Sequence, residues 1–208
     1  MKPLKIFLIV FCVVGLTSFV HAKTNVYLFG AGSFYQAVEG TYEPGVTDFS
    51  NTDAHTILGF GLGITSSSEK MFFTGLEVHY NMQGKVTMID PSDNDTVEID
   101  TYKNVMGFLT VGFNIVRSES LNVFINGGGG VNYILSAETV TYTSTLGYET
   151  IIEPPEKKYN FMAFGGAGLS FMFSGGVGVF ASGRYVYIWT EDEPVKTIMA
   201  LGGLSFHF

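Results

Sequence analysis

Apolar and polar residues alternate along most of the chain in segments of about ten residues. Alternation of this kind directs successive side chains to opposite faces of an extended strand. Stretches rich in turn-forming residues separate the segments. The eight predicted strands are 25–36, 54–66, 71–83, 101–116, 121–135, 159–173, 177–189 and 197–208.

The connections between these strands alternate between short and long. The short ones are rich in serine and glycine, which turns require, and they are residues 67–70, 117–120 and 174–176. The long ones are residues 37–53, 84–100, 136–158 and 190–196. An antiparallel sheet with this order has all tight turns at one end and all long loops at the other.

One face of each strand carries no charge. On the third strand Leu76 and Val78 lie opposite Glu77 and His79, and on the seventh Arg184 lies opposite uncharged neighbours. Eight closed strands enclose little more than their own side chains, so the large apolar set must face outward. Lipid solvates such a surface, and a bilayer accepts only helices or closed barrels. The sequence therefore predicts an all-β fold, an eight-stranded antiparallel up-and-down transmembrane β-barrel.

The first predicted strand fits this pattern least well, because apolar residues occupy both of its faces. A membrane helix over 161–183 is the rival interpretation, since that stretch has no charged residue. Its glycines disfavour a helix, and the turn at 174–176 divides it into two strands.

The composition agrees with a membrane-embedded chain. Of the 208 residues 46% are hydrophobic and only 14% are charged, against about 25% charged in an ordinary soluble domain. The formal net charge of −8 disfavours nucleic acid as a partner.

The chain begins like a secretory signal peptide. Lys2 and Lys5 precede an apolar run, and small residues stand before a cleavage point after Ala22. We expect a signal peptide over 1–22 and one domain over 23–208. The only cysteine, Cys12, lies in the leader, so the exported domain folds without disulfides.

Eight alternating strands behind a signal peptide, with turns and loops in alternation, resemble the small outer-membrane β-barrels of the OmpA/OmpX type. The last strand supports the resemblance, because Leu204, Phe206 and Phe208 occupy alternate positions at its end. In that family a terminal aromatic residue with hydrophobic residues at every second place before it is the signal read by the barrel-assembly machinery.

The resemblance implies a Gram-negative-type outer membrane, with both termini and the turns in the periplasm and the loops outside. Its implied partners are outer-membrane lipid, lipopolysaccharide and the assembly machinery. Aromatic residues near the strand ends predict two girdles at the lipid interfaces. They are Tyr35, Tyr80, Tyr133, Tyr159, Tyr187 and Trp189 at the loop end, and Phe72, Phe73, Phe171, Phe173, Phe206 and Phe208 at the turn end.

Three inward positions carry candidate chemistry: Glu77, His79 and Arg184. An isolated buried charge is costly, so the glutamate and the arginine should pair and take hydrogen bonds from neighbours. The expected neighbours are Asn81, Asn104 or Asn126. The group is either a structural plug or the gate of an ion path.

Catalytic and metal sites have little support. Ser205 and His207 share an inward face at the periplasmic end, but no carboxylate nearby would orient the imidazole. The acidic stretch 90–95 lacks the glycine and the final glutamate of a calcium loop. We predict no cofactor and no metal. The expected function is non-enzymatic, a structural, adhesion or interaction role with a possible extracellular ligand at the acidic loops. The alternatives are a narrow ion-conducting pore and a barrel enzyme resembling a lipid A deacylase.

Overall fold

The structure is a computed structural model. It describes residues 23–35, 51–52, 55–67, 71–82, 84–89, 96–100, 103–118, 120–136, 140–143, 149–152, 159–190 and 194–208. The predicted signal peptide with its cleavage point and the acidic stretch 90–95 lie outside these residues. Within the part of the chain that is described, no helix is long and apolar enough to cross a membrane.

The described residues form thirteen strands, which are β1 (Lys23–Tyr35), β2 (Asn51–Thr52), β3 (His55–Ser67), β4 (Phe72–Asn81), β5 (Lys85–Ile89), β6 (Thr96–Asp100), β7 (Lys103–Arg117), β8 (Leu121–Ser136), β9 (Val140–Thr143), β10 (Glu149–Ile152), β11 (Tyr159–Met172), β12 (Val177–Ile188) and β13 (Val195–His207). Eight of them close a barrel in the order β1-β13-β12-β11-β8-β7-β4-β3. Every neighbouring pair is antiparallel. The predicted fold class is confirmed.

Short strands within the long loops were not predicted. Strands β2, β5 and β6 form a three-stranded sheet, and β9 pairs with β10. They have two to five residues each and lie outside the barrel, where no lipid selects for an apolar face. Some of them alternate between polar and apolar residues, as Thr96–Asp100 does, but only over five residues or fewer, which is about half the length of a membrane-spanning strand.

The outer surface of the barrel is apolar, as the alternation predicts. Large exposed side chains include Leu58, Leu62, Val111, Leu169 and Trp189. The prediction that the girdle residues face lipid is wrong for two of them. Tyr35 follows the alternation of buried Ser33 and faces the lumen, and Phe73 lines a cavity inside the barrel.

The lumen also contains apolar residues, which is a correction to the expectation that the whole large apolar set faces lipid. Buried side chains from five strands form one cluster, comprising Tyr27, Phe29, Ala31, Met106, Phe108, Met162, Phe164, Val186, Ile188, Met199 and Leu201. Strand β1 has apolar residues on both faces because its inward-facing side chains belong to this cluster. Its inward rings lie over glycines of β3, because a Cβ built on Gly61 or Gly63 would overlap the ring of Phe29 or Tyr27.

The turn between β11 and β12 shows why glycine is needed there. Gly175 and Gly176 have φ values of 100° and 79°, a region that other residues rarely occupy. The Phe173 amide donates to the Val177 carbonyl at 2.8 Å across the turn. The turn joins two antiparallel strands, so residues 161–183 do not form the continuous helix of the rival interpretation.

Candidate functional site

An ion pair crosses the middle of the lumen. Strand β4 carries Glu77 and His79 on its inward face, and β12 carries Arg184. In the closed order of eight strands β12 is third and β4 is seventh, so the two strands stand on opposite sides of the barrel. The arginine side chain therefore spans the lumen to reach the carboxylate.

Both carboxylate oxygens of Glu77 are hydrogen-bonded. Arg184 donates Nη2 to Oε1 at 3.0 Å and Nη1 to Oε2. The hydroxyl of Thr110 donates to Oε1 at 3.0 Å, and Nε2 of His79 lies 3.2 Å from Oε2. Only 1% of Glu77 is exposed. A buried charge with this many partners avoids most of the cost of an unpaired one.

Aromatic rings surround the ion pair. The Arg184 guanidinium lies 4.8 Å from the centre of the Phe164 ring, a cation–π arrangement. The His79 ring meets the rings of Phe29 and Phe108 edge-on, at centroid distances of 4.6 and 4.8 Å. The rings fix the imidazole beside the carboxylate.

The predicted asparagine partners do not reach the ion pair. The side-chain oxygens of Asn81, Asn104 and Asn126 have no hydrogen-bond partner, and the Asn81 amide contacts the Met106 sulfur at 3.8 Å. Thr110 instead supplies the hydrogen bond to the carboxylate that was expected from an asparagine. The alternation along β7 predicts that Thr110 faces inward. Its choice as the partner of Glu77 also requires the stagger of β7 against β4, which aligns Glu77 with Phe108.

The lumen between the ion pair and the loop end is filled by apolar side chains together with buried polar ones such as Asn81, Asn132 and Thr197. Met106, Phe108, Val186 and Met199 have no exposed surface. The sequence signal for this packing is the presence of methionine and phenylalanine at inward positions, such as Met106 and Phe108 on the face of Asn104 and Thr110. Solvent does not reach these four apolar side chains.

The lumen between the ion pair and the turn end is open. A cavity of about 740 Å³ extends from Arg184 to the turns and is lined by side chains of Asn25, Asn126, Ser170 and Ser182 among others. The ion pair thus marks the boundary between a filled half and an open half of the barrel.

Ser205 and His207 both line this cavity near its mouth. The Ser205 hydroxyl is directed at the sulfur of Met172, at 3.7 Å. Across the described residues no group of three histidine, cysteine, aspartate or glutamate side chains could hold a metal ion. Leu204 and Phe208 are exposed on the outer surface and Phe206 is half-buried; their role as an assembly signal stays a prediction.

Several solved outer-membrane barrels have the same architecture as this chain. The crystal structure of Neisserial surface protein A is 10% identical and matches with a TM-score of 0.54, covering 90% of this chain and 100% of that one. The N-terminal barrel domain of Pseudomonas aeruginosa OprF is 14% identical with a TM-score of 0.53, covering 90% and 98%. OprG from the same organism is 11% identical with a TM-score of 0.51, covering 90% and 96%. The chain has the fold of the small eight-stranded outer-membrane β-barrels.

No protein-family model and no curated protein sequence matches the chain. The fold together with the apolar outer surface supports a location in the outer membrane. The similarity to these barrels rests on backbone architecture, because the identities are far too low to carry over any individual side chain.

Proposed function

We propose that this protein is a non-enzymatic outer-membrane barrel whose lumen is closed and whose loops make its interactions. The observation that carries the proposal is the filled loop-side half of the lumen, where Phe108, Met106 and Met199 are completely buried beside the ion pair. A lumen closed at this level leaves the outer surface and the loops as the parts that meet other molecules.

The loop strands support an interaction role. The sheets β2-β5-β6 and β9-β10 are formed by residues of three of the long connections. Edge strands of such sheets can accept an extended peptide through main-chain hydrogen bonds, while their side chains select the sequence. Loops on a rigid scaffold are also where binding residues are usually found.

Deletion of the longest loop tests this role. The purified, refolded protein and a variant lacking 137–158 are tested for binding to immobilised matrix proteins and glycosaminoglycans. We expect binding by the intact protein and its loss in the variant, whereas deletion of 191–193 in another loop serves as the control. Equal binding by all three proteins, or none by the intact one, would contradict the interaction role.

A narrow ion-conducting pore is the second candidate, and the open cavity that reaches Arg184 favours it. Conduction would require the Glu77–Arg184 pair to separate and the apolar side chains beside it to move. Planar-bilayer recording distinguishes the two functions. A closed lumen predicts no reproducible single-channel steps. Steps in the parent protein whose conductance Arg184→Ala raises, because this variant removes the ion pair, would establish the pore.

The lipid A of expressing cells tests the non-enzymatic part of the proposal. We expect an unchanged lipid A mass spectrum when the protein is produced. A deacylated species that depends on the protein, and that Ser205→Ala removes, would identify a hydrolase instead.

A further inference from the structure

The open half of the lumen has the chemistry of a binding site. Among the described residues that line it, the only charged side chains are Arg117 and Arg184, and the others are mainly asparagine, serine and aromatic residues. Ligand sites in proteins are concave and combine apolar walls with a few convergent polar groups. The volume of about 740 Å³ lies within the usual range for such sites, about 300–1,000 Å³.

The aromatic rings of this cavity are held against its wall by glycines. A Cβ built on Gly112 would overlap the ring of Phe73, and one built on Gly168 would overlap the ring of Phe124. Phe73 and Phe124 also contact each other edge to face, with centroids 5.7 Å apart. The two rings occupy the space that side chains at Gly112 and Gly168 would otherwise take. They therefore lie against the wall, and the centre of the cavity stays open.

A second ring pair lines the cavity nearer the ion pair. Tyr27 lies over Gly63 and meets Phe180 edge to face at 5.3 Å between centroids. Two aromatic pairs on the cavity wall provide apolar surfaces against which the CH groups of a ring-shaped ligand can pack.

The polar side chains on the wall include both hydrogen-bond donors and acceptors. Asn25, Asn122, Asn126, Ser170 and Ser182 line the cavity, and their amides and hydroxyls can both donate and accept hydrogen bonds. A ligand that only accepts hydrogen bonds, such as a simple anion, would use the donors of the wall and leave its acceptors without a partner. Hydroxyl groups satisfy both kinds of group.

The charge of the cavity also disfavours an anion. Both terminal nitrogens of Arg184 bind the Glu77 carboxylate, so the charge of this arginine is neutralised. Arg117 is exposed to solvent, where its attraction for an anion is weakened by water and salt.

From the rings, the amides and the neutralised arginine we infer that this cavity binds a small, uncharged, polyhydroxylated solute such as a short saccharide, which enters from the turn end. The ring pairs pack against the faces of the sugar, and the asparagine and serine side chains bond its hydroxyls. The site is independent of the loops and of the interaction role proposed for them.

Titration monitored by nuclear magnetic resonance tests the site. The refolded protein in phosphocholine micelles, which carry no sugar head group, is titrated with maltotriose and with N,N′-diacetylchitobiose. Glucose 6-phosphate and inorganic sulfate are the charged probes. We expect saturable shifts of the asparagine side-chain amides with at least one neutral saccharide, and weaker or no saturation with the charged probes.

Paired glycine variants on β7 provide the control. Gly112→Ala displaces the Phe73 ring into the cavity and should weaken saccharide binding about tenfold or more. Gly107→Ala, on the opposite face of the same strand with nothing within 4 Å of the added carbon, should bind as the parent does. If Gly112→Ala does not fold, Ser170→Leu narrows the cavity from β11 and replaces it.

Three results would overturn the inference. They are the absence of saturation by either neutral saccharide, saturation by the charged probes alone, and equal binding by the parent and the cavity-narrowing variant. The first would identify the space as a water-filled vestibule, and the second would identify an anion site.

Discussion

The two halves of the lumen are built in opposite ways on the same eight strands. Toward the loops, side chains such as Phe108 and Val186 are fully buried in an apolar cluster. Toward the turns, the same strands place Asn126 and Ser182 around an open cavity. Strand β12 shows the change within five residues, because Ser182 lines the cavity, Arg184 lies at the boundary and Val186 belongs to the cluster.

In this barrel one well-packed level is enough to close the lumen. Apolar packing excludes water from that level, and the Glu77–Arg184 pair lies on its border, where every carboxylate oxygen is hydrogen-bonded. The remaining half can stay open because its polar side chains tolerate solvent. The free energy of unfolding should therefore depend mainly on the filled half, and the access of solvent to the lumen on the open half.

Removal of the arginine should have the largest effect. Arg184→Ala leaves the buried Glu77 carboxylate without its cation, which typically costs about 3–5 kcal/mol. The free energy of unfolding is measured by urea titration in lipid vesicles, and heat resistance by the mobility shift on gels. The double variant Glu77→Ala/Arg184→Ala should lose less than the sum of the single variants. An unchanged unfolding free energy in Arg184→Ala would show that the pair does not stabilise the barrel.

Truncation of a ring in each half compares their packing. Phe108→Ala creates a cavity in the filled half and should cost about 3 kcal/mol or more. Phe180→Ala, whose ring is only half-buried beside the open cavity, should cost about half as much. The same urea titration measures both variants, and equal losses would refute the distinction between the halves.

Cysteine labelling should distinguish the halves by access. The only native cysteine is Cys12 in the predicted leader, so Ser170→Cys in the open half and Met199→Cys in the filled half each report on one position. We expect a water-soluble thiol reagent to modify Ser170→Cys about 100-fold faster, a difference of about 2.7 kcal/mol. Similar rates would mean that water reaches both halves.

Ser205→Ala should have the smallest effect. Its hydroxyl makes only a weak contact with the Met172 sulfur, at 3.7 Å, so the loss in unfolding free energy should stay within about 0.5 kcal/mol. A loss of several kcal/mol would show that this part of the cavity wall contributes to stability as the filled half does.

The sequence was sufficient for the parts of the fold that depend on alternation. The eight barrel strands, and the inward direction of Glu77, His79 and Arg184, follow from residues that are adjacent in the chain. The same pattern could not show that inward apolar residues such as Met106 form a seal. Only polar residues distinguish an inward face from a lipid-facing one, and an apolar side chain is compatible with both.

The height of a residue in the barrel and its position around the wall were decided by tertiary structure. Glu77 and Arg184 are 107 residues apart and meet because strand register and closure set β4 and β12 at the same level on opposite sides. The same stagger brings Thr110 to the Glu77 carboxylate. It also places the rings of Phe29 and Phe73 over Gly61 and Gly112. Alternation is a local property of the backbone, whereas stagger is settled only when all eight strands pair at once.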